Sequence, residues 1–115
     1  MRYKVNLGGL PYYAIHSTLA IVAIRSFRSA DTEAFWAGAQ VARFQNSASV
    51  AIRKLQMLNA ATTLNALAVV PGNRLESLKG TRLGQLSIRI NDQWRVCFRW
   101  RQPDAYGVEI TNHYT

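Results

Sequence analysis

The stretch PGNRLESLKGTRLGQLSIRINDQWRVCFRW, residues 71–100, decides the fold. It opens on a turn signal, Pro71-Gly72-Asn73, and continues into two alternating runs. In the first, Leu86, Ile88 and Ile90 alternate with Gln85, Ser87 and Arg89. In the second, Trp94, Val96, Phe98 and Trp100 alternate with Arg95, Cys97 and Arg99. A period of two is that of a strand with one buried face. Asn91-Asp92-Gln93 is short enough to join the runs as a hairpin loop, with Asn91 and Asp92 serving the turn. The hairpin is therefore predicted to have an apolar face, with Trp94 and Trp100 in the core, and an open face carrying Arg89, Arg95 and Arg99. These thirty residues hold six Lys or Arg (Arg74, Lys79, Arg82, Arg89, Arg95, Arg99) against two acids, Glu76 and Asp92. Guanidinium forks held on strands suit phosphate, because a sheet fixes their position.

Working outward, Gln102-Pro103-Asp104-Ala105 predicts a turn and Tyr106–Thr111 a third strand. Upstream, the β-branched run Ile21–Phe27 predicts a buried strand. Asp31 or Ser29 then offers a helix cap, with Glu33 in the first turn and Phe35, Trp36, Ala39 and Ala42 at helical spacing through about Arg43. Ser47 can cap a second helix whose stripe is Val50, Leu55, Leu58 and Ala61, leaving Arg53 and Lys54 toward solvent or a partner. A loop or single turn is expected around Leu64–Leu67. This β-helix-helix-β-β-β order predicts an α+β domain: a small twisted, mainly antiparallel sheet with two N-terminal helices on one face. Residues 1–20 show a Gly-Gly-Leu-Pro break and no sustained period, and are read as an unassigned extension ahead of a domain spanning 21–115.

A net charge of +8 on 115 residues points to a polyanionic partner: nucleic acid, an anionic membrane or an acidic protein. A basic surface kept for solubility is the plain alternative. One cysteine rules out an internal disulfide and fits a reducing, cytoplasmic setting; Cys97 reads as a strand residue without a redox role. Two histidines and one cysteine do not make a common zinc site, and Gly8-Gly9 is not a phosphate loop, so no metal and no cofactor are expected. Tyr12–Ile24 is apolar but too short to span a bilayer, and no membrane association is expected.

PGNRLESLKG, then GQLSIRINDQWRVCFRW, then VEI with a terminal aromatic-histidine pair, closely resembles the HigB toxins of the RelE-like group. The resemblance runs from about Ile21 to the C-terminus and leaves residues 1–20 outside. It implies the toxin of a type II toxin–antitoxin pair: a ribosome-dependent endoribonuclease that cuts mRNA in the ribosomal A site. Its implied partners are a helix-turn-helix antitoxin, HigA-like in this branch, and the ribosome with bound mRNA. The implied fold is RelE-like, a twisted sheet with two N-terminal helices on one face and a basic face for RNA.

Metal-independent cleavage of this kind uses the neighbouring 2′-hydroxyl as nucleophile. It needs one group to take up the 2′-OH proton, one to protonate the leaving 5′-oxygen, and cations for the charged phosphorane. Histidine is the side-chain type whose ordinary pKa lies nearest neutrality, and His113 is the histidine of the matched region. The resemblance pairs it with Tyr114 as the catalytic set, together with Lys79, Arg89 and Arg95. Arg74, Arg82, Arg99 and Asn112 are implied RNA or phosphate contacts. Glu76 stands where some relatives have a catalytic histidine and is a candidate acid or base, or else a surface partner of Arg74. The family ending Asp-Tyr-His reads Asn112-His113-Tyr114 here, with an amide for the acid and the last two exchanged. In an extended ending the exchange turns His113 to the opposite face; an irregular ending restores it. Two other functions remain open: a non-catalytic RNA- or ribosome-binding module, and an antitoxin-binding protein on the same fold.

Overall fold

The expected hairpin is present: β2 (Leu86–Arg89) and β3 (Arg95–Arg101) pair antiparallel, with Leu86 opposite Phe98 and Arg89 opposite Arg95. The computed structural model describes residues 23–113. The predicted extension over residues 1–20, Ile21 at the start of the upstream run, and Tyr114 lie outside the described residues. Asn91 makes the hairpin turn, its Oδ1 accepting from the Gln93 and Trp94 amides at 2.9 and 2.8 Å. Its Nδ2 donates to Ser47 Oγ at 2.8 Å, so the same residue ties the turn to the helical layer.

Two strands complete the sheet, whose order is β1-β2-β3-β4 with every pairing antiparallel. The third expected strand, β4 (Asp104–Thr111), begins two residues earlier than its apolar pattern indicated. Its register on β3 slips between Cys97 and Arg99, where β4 carries an extra residue. Gly107 sits there at φ 58, a conformation open to glycine at little cost. The other strand, β1 (Glu76–Ser77), has no pattern of its own and is both short and exposed.

The upstream run lies along the far edge of β4 in parallel, through bridges Ile24–Ala105 and Phe27–Val108. Arg25 N donates to Ala105 O and Ala105 N to Ala23 O; Arg28 N donates to Val108 O and Val108 N to Ser26 O. The bulge at Gly107 interrupts the ladder, and Ser26 Oγ fills the gap by accepting the Gly107 amide at 2.8 Å.

The first helix is shorter than its spacing suggested. Ser29, rather than Asp31, caps α1 (Ala30–Trp36) by accepting the Thr32 amide at 3.1 Å. The helix stops before Gly38, which lies at φ 108, and does not reach Arg43. A 3₁₀ segment, Ala42–Ser47, then delivers Phe44 to the core. The second helix, α2 (Ala48–Ala60), buries Leu55 and Leu58 as expected, but Ala51 rather than half-buried Val50 takes the inner position of the first turn, and Ser47 makes no side-chain cap there. The anticipated turn is a five-residue helix, α3 (Leu64–Ala68), capped by Thr63.

The helices cover one sheet face. Phe44, Leu55, Leu58 and Leu67 meet Ile88, Val96, Phe98, Val108 and Ile110, each nearly or wholly buried. Burying such a side chain contributes roughly 2 kcal/mol, so the alternating apolar face is the main source of stability. Phe44 stands edge-on to both Phe35 and Trp94, with centroids 5.4 and 5.6 Å apart. Thr32, buried on α1, accepts the Ile110 amide through Oγ1 at 3.0 Å and fixes the helix to β4.

Candidate functional site

Directly paired residues of neighbouring strands share a face, so the register lays out the side away from the helices. One row runs Glu76, Ser87, Cys97, Glu109, and the next runs Arg89, Arg95, Thr111. Two guanidinium groups thus stand opposite each other, which is unfavourable unless acids offset the repulsion. Asp92 accepts from Arg89 Nη2 at the hairpin turn, and Glu76 Oε1 lies 4.0 Å from Arg95 Nη2.

Arg95 is the centre of this face. Its Nε donates to Ser87 Oγ at 2.7 Å and its Nη2 to the Arg74 carbonyl at 2.5 Å. The face expected to be open is open at Arg99, partly closed at Arg89, and closed at Arg95, whose side chain is 7% exposed. The chain from Arg74 to Arg82 causes the difference. Pairing of β1 with β2 brings it back over the polar side, where Arg74 O and Glu76 receive the guanidinium.

Arg74 holds φ 46, a left-handed conformation that disfavours a residue with a Cβ by about 1 kcal/mol. Asn73 stabilises it. This residue is wholly buried, with Nδ2 donating to Leu67 O at 2.9 Å and Oδ1 accepting from Lys54 Nζ at 2.5 Å. Its backbone O also accepts the Arg89 amide at 2.7 Å, joining the turn to β2. Lys54 was expected to face solvent or a partner, and that expectation is corrected: it is 9% exposed on the inner side of α2. The apolar stripe did not include it, but a buried amide acceptor draws the ammonium inward. Burial first, then Arg53 and Arg89, lower its pKa from the usual lysine value.

Arg82 binds three partners at once. Its Nη1 donates to Gln85 Oε1 at 3.0 Å, its Nη2 to Glu109 Oε1 at 3.1 Å, and its Nε to the His113 carbonyl at 2.5 Å. Arg28 adds a second cation 3.7 Å from the same Glu109 oxygen. At the C-terminal end, β4 stops at Thr111 and the chain bends at Asn112. Thr111 Oγ1 accepts the His113 amide at 3.0 Å. The ending is thus irregular, and the side chains of Asn112 and His113 are exposed.

Lys79 and Arg74 are exposed on the returning segment, and Arg99 is exposed on β3. None of the three has a carboxylate partner among the described residues. Arg99 lies over Gly84, where an added Cβ would be 2.5 Å from Nη1, so the backbone there is bare beneath the guanidinium. Arg89, whose partner Asp92 is fully exposed, can exchange it for a phosphate at small cost. The residues missed from sequence are Asn73, Lys54 and Gln85. Asn73 entered only as part of the turn signal, Lys54 only as a residue facing solvent or a partner, and Gln85 only through its alternation with Leu86.

Cys97 is buried under this network. Burial raises its pKa from 9.0 to about 11, opposed by Arg82 and assisted by Glu109. A thiol with a raised folded pKa contributes stability that is complete below pH 9.0 and is lost up to about pH 11. Urea titrations across that range should show a loss in the wild type that Cys97→Ala does not share. Equal slopes in both proteins would contradict the burial argument. Among the described residues no group of three His, Cys, Asp or Glu is placed to hold a metal ion, and no helix is long and apolar enough to cross a membrane.

A four-stranded sheet with helices on one face and arginines on the other is the architecture of a RelE-like toxin. A family model for the RelE-like toxin of type II toxin–antitoxin system HigB matches residues 25–114, and the chain belongs to that family. Over 61 residues, 53% of this chain, it is 48% identical to Toxin HigB-1 of Vibrio cholerae serotype O1; the match covers 64% of that protein, just under two thirds. Over 68 residues it is 31% identical to a Haemophilus influenzae protein named only as uncharacterised, covering 59% of this chain and 67% of that one.

Proposed function

We propose that this toxin is an endoribonuclease acting on mRNA in the ribosomal A site, by 2′-hydroxyl attack and without a metal ion. The observation that carries the reading is the arginine pair Arg89 and Arg95 on adjacent strands, beside Arg74, Lys79 and Arg99, exposed cations with no carboxylate partner among the described residues. A phosphate held there meets the donors of Arg89, Arg74, Lys79 and Arg99 beside the fixed charge of buried Arg95, and its own charge grows as the phosphorane forms. Donors already in place then stabilise the transition state more than the ground state.

Proton transfer falls to the groups at the rim. His113 follows two residues after Thr111, the partner of Arg95, and its imidazole suits either proton step. Glu76 lies in the adjacent row with its carboxylate exposed beside Arg95, and is the second candidate for taking up the 2′-OH proton. Tyr114 completes the set in this reading, and Asn112 contributes a polar contact to the RNA. The ribosome supplies the oriented mRNA, and a HigA-like helix-turn-helix protein is the proposed antitoxin. Acting there requires a cytoplasmic protein.

Induced expression should arrest growth and leave cuts inside translated messages, mapped from the 5′ ends of cellular RNA. Normal growth with intact messages would contradict the proposal. Growth arrest with ribosome binding and intact messages would favour the non-catalytic module. That outcome draws its interest from the Asn112-His113-Tyr114 ending, which lacks the family's acid.

A further inference from the structure

We infer that Arg82 and Glu109 form a positioning pair that holds the end of β4, and with it His113, against the arginine face. The inference rests on the ribonuclease reading and assigns Arg82 a role other than gripping RNA. A guanidinium that grips phosphate directly presents its donor edges to solvent, as Arg99 does, whereas buried Arg95 acts on it through its charge. Arg82 presents almost none: its side chain is 12% exposed, and each of its three nitrogens donates to a protein oxygen.

The three acceptors belong to different parts of the chain. Gln85 precedes β2, Glu109 lies within β4, and the His113 carbonyl lies beyond its end. Because Arg82 follows Lys79 directly across a short 3₁₀ turn, Gly80–Arg82, the same clamp sets the distance between the Lys79 segment and the C-terminal residues. Glu109 is fixed in turn by Arg28, from the edge segment beyond β4, at 3.7 Å. The row thus reads Arg28, Glu109, Arg82, His113 carbonyl, a rigid strap across the polar face. Without it, among the described residues, the chain past Thr111 is secured by the turn at Thr111 Oγ1.

The charge of Glu109 makes the two roles separable. Glu109→Gln removes a negative charge from a surface that binds a polyanion, so electrostatics alone predicts equal or tighter RNA binding. A positioning role predicts the opposite sign for turnover. Small displacements of a proton-transfer group, and loss of the groups that orient it, cost on the order of tenfold to a hundredfold.

The test compares purified wild type, Arg82→Lys, Glu109→Gln and the double variant. It measures single-turnover cleavage on mRNA-programmed ribosomes, binding to a short RNA across a salt series, and the His113 backbone amide by NMR. Arg82→Lys keeps the charge and loses the fork. Each single variant should keep its RNA affinity and salt slope, lose about tenfold or more in turnover, and shift the His113 amide in the same direction. The double variant should be no worse than the weaker single, because both changes break one unit. Glu109→Gln cleaving at or above the wild-type rate, with Arg82→Lys losing only affinity, would overturn the inference and make Arg82 a phosphate contact. Wild-type protein that cuts nothing would sink the ribonuclease reading and with it any role in turnover. In that case a His113 amide unmoved in both variants would remove the strap as well.

Discussion

Arg95→Ala is expected to lower mRNA cleavage by on the order of a hundredfold or more, because it removes a fixed positive charge beside a developing oxyanion and releases the Arg74 segment that the guanidinium holds. The same change unfolds the protein more easily. Ser87 Oγ and the Arg74 carbonyl both lose their donor, and Arg74 loses the contact that accompanies its left-handed backbone. Ser87 is wholly buried, so leaving its hydroxyl without this partner costs about 1–3 kcal/mol, whereas the Arg74 carbonyl belongs to an exposed residue that water can reach. Assays must therefore be run well below the melting temperature of the variant, with folding checked by circular dichroism. Arg95→Lys separates the effects: it keeps a cation on β3 but cannot reach both acceptors, and should fall between wild type and alanine. Cleavage at the wild-type rate by a folded Arg95→Ala protein would remove this arginine from the mechanism.

Asn73→Ala carries the largest expected loss of stability, about 3 kcal/mol, measured as a urea midpoint with unchanged slope. The wholly buried amide donates to Leu67 O and accepts from Lys54 Nζ, and alanine leaves that ammonium buried without an acceptor. The pH dependence follows from the lowered pKa of Lys54. Between its folded pKa and the unfolded value of 10.5, the unfolded chain binds more protons, so stability rises with pH. A neutral amine is also cheaper to leave unpaired. The gap between wild type and Asn73→Ala should accordingly narrow as pH approaches 10.5. Comparing the two proteins at each pH cancels the Cys97 contribution, which has the opposite sign in the same range. Asn73→Asp should recover part of the loss, since it gives Lys54 a carboxylate while forfeiting the donor to Leu67. A loss below about 0.5 kcal/mol for alanine would show the turn to be held elsewhere.

The parts of this fold that were legible in sequence are those with a period. The hairpin, its faces and the stripe of α2 follow from alternation and helical spacing, because burial of one face writes itself into every second or every third to fourth residue. Strand β1 was not legible, since two exposed residues carry no pattern and pair only because the Asn73 turn delivers them. Helix α1 ended early because Gly38 stops it, although Ala39 and Ala42 keep helical spacing. At the site, the residue types of the arginine face were readable but their states were not. Arg89, Arg95 and Arg99 share one sequence pattern, yet one is paired at a turn, one is buried and one is exposed with no carboxylate partner among the described residues. That difference comes from what folds over each, a long-range property. Lys54 shows the same point from the helical side, where an acceptor 19 residues away sets its orientation.

The central claim is that the arginine face cleaves RNA through the 2′-hydroxyl. Its most direct test is the chemistry of the ends left on a defined mRNA bound to purified ribosomes with the A site empty. The account predicts one cut in the A-site codon, leaving a 5′-hydroxyl on the downstream fragment and a 2′,3′-cyclic phosphate or its 3′-phosphate product upstream. Downstream fragments bearing a 5′-phosphate, or intact mRNA on ribosomes that have bound the toxin, would contradict it.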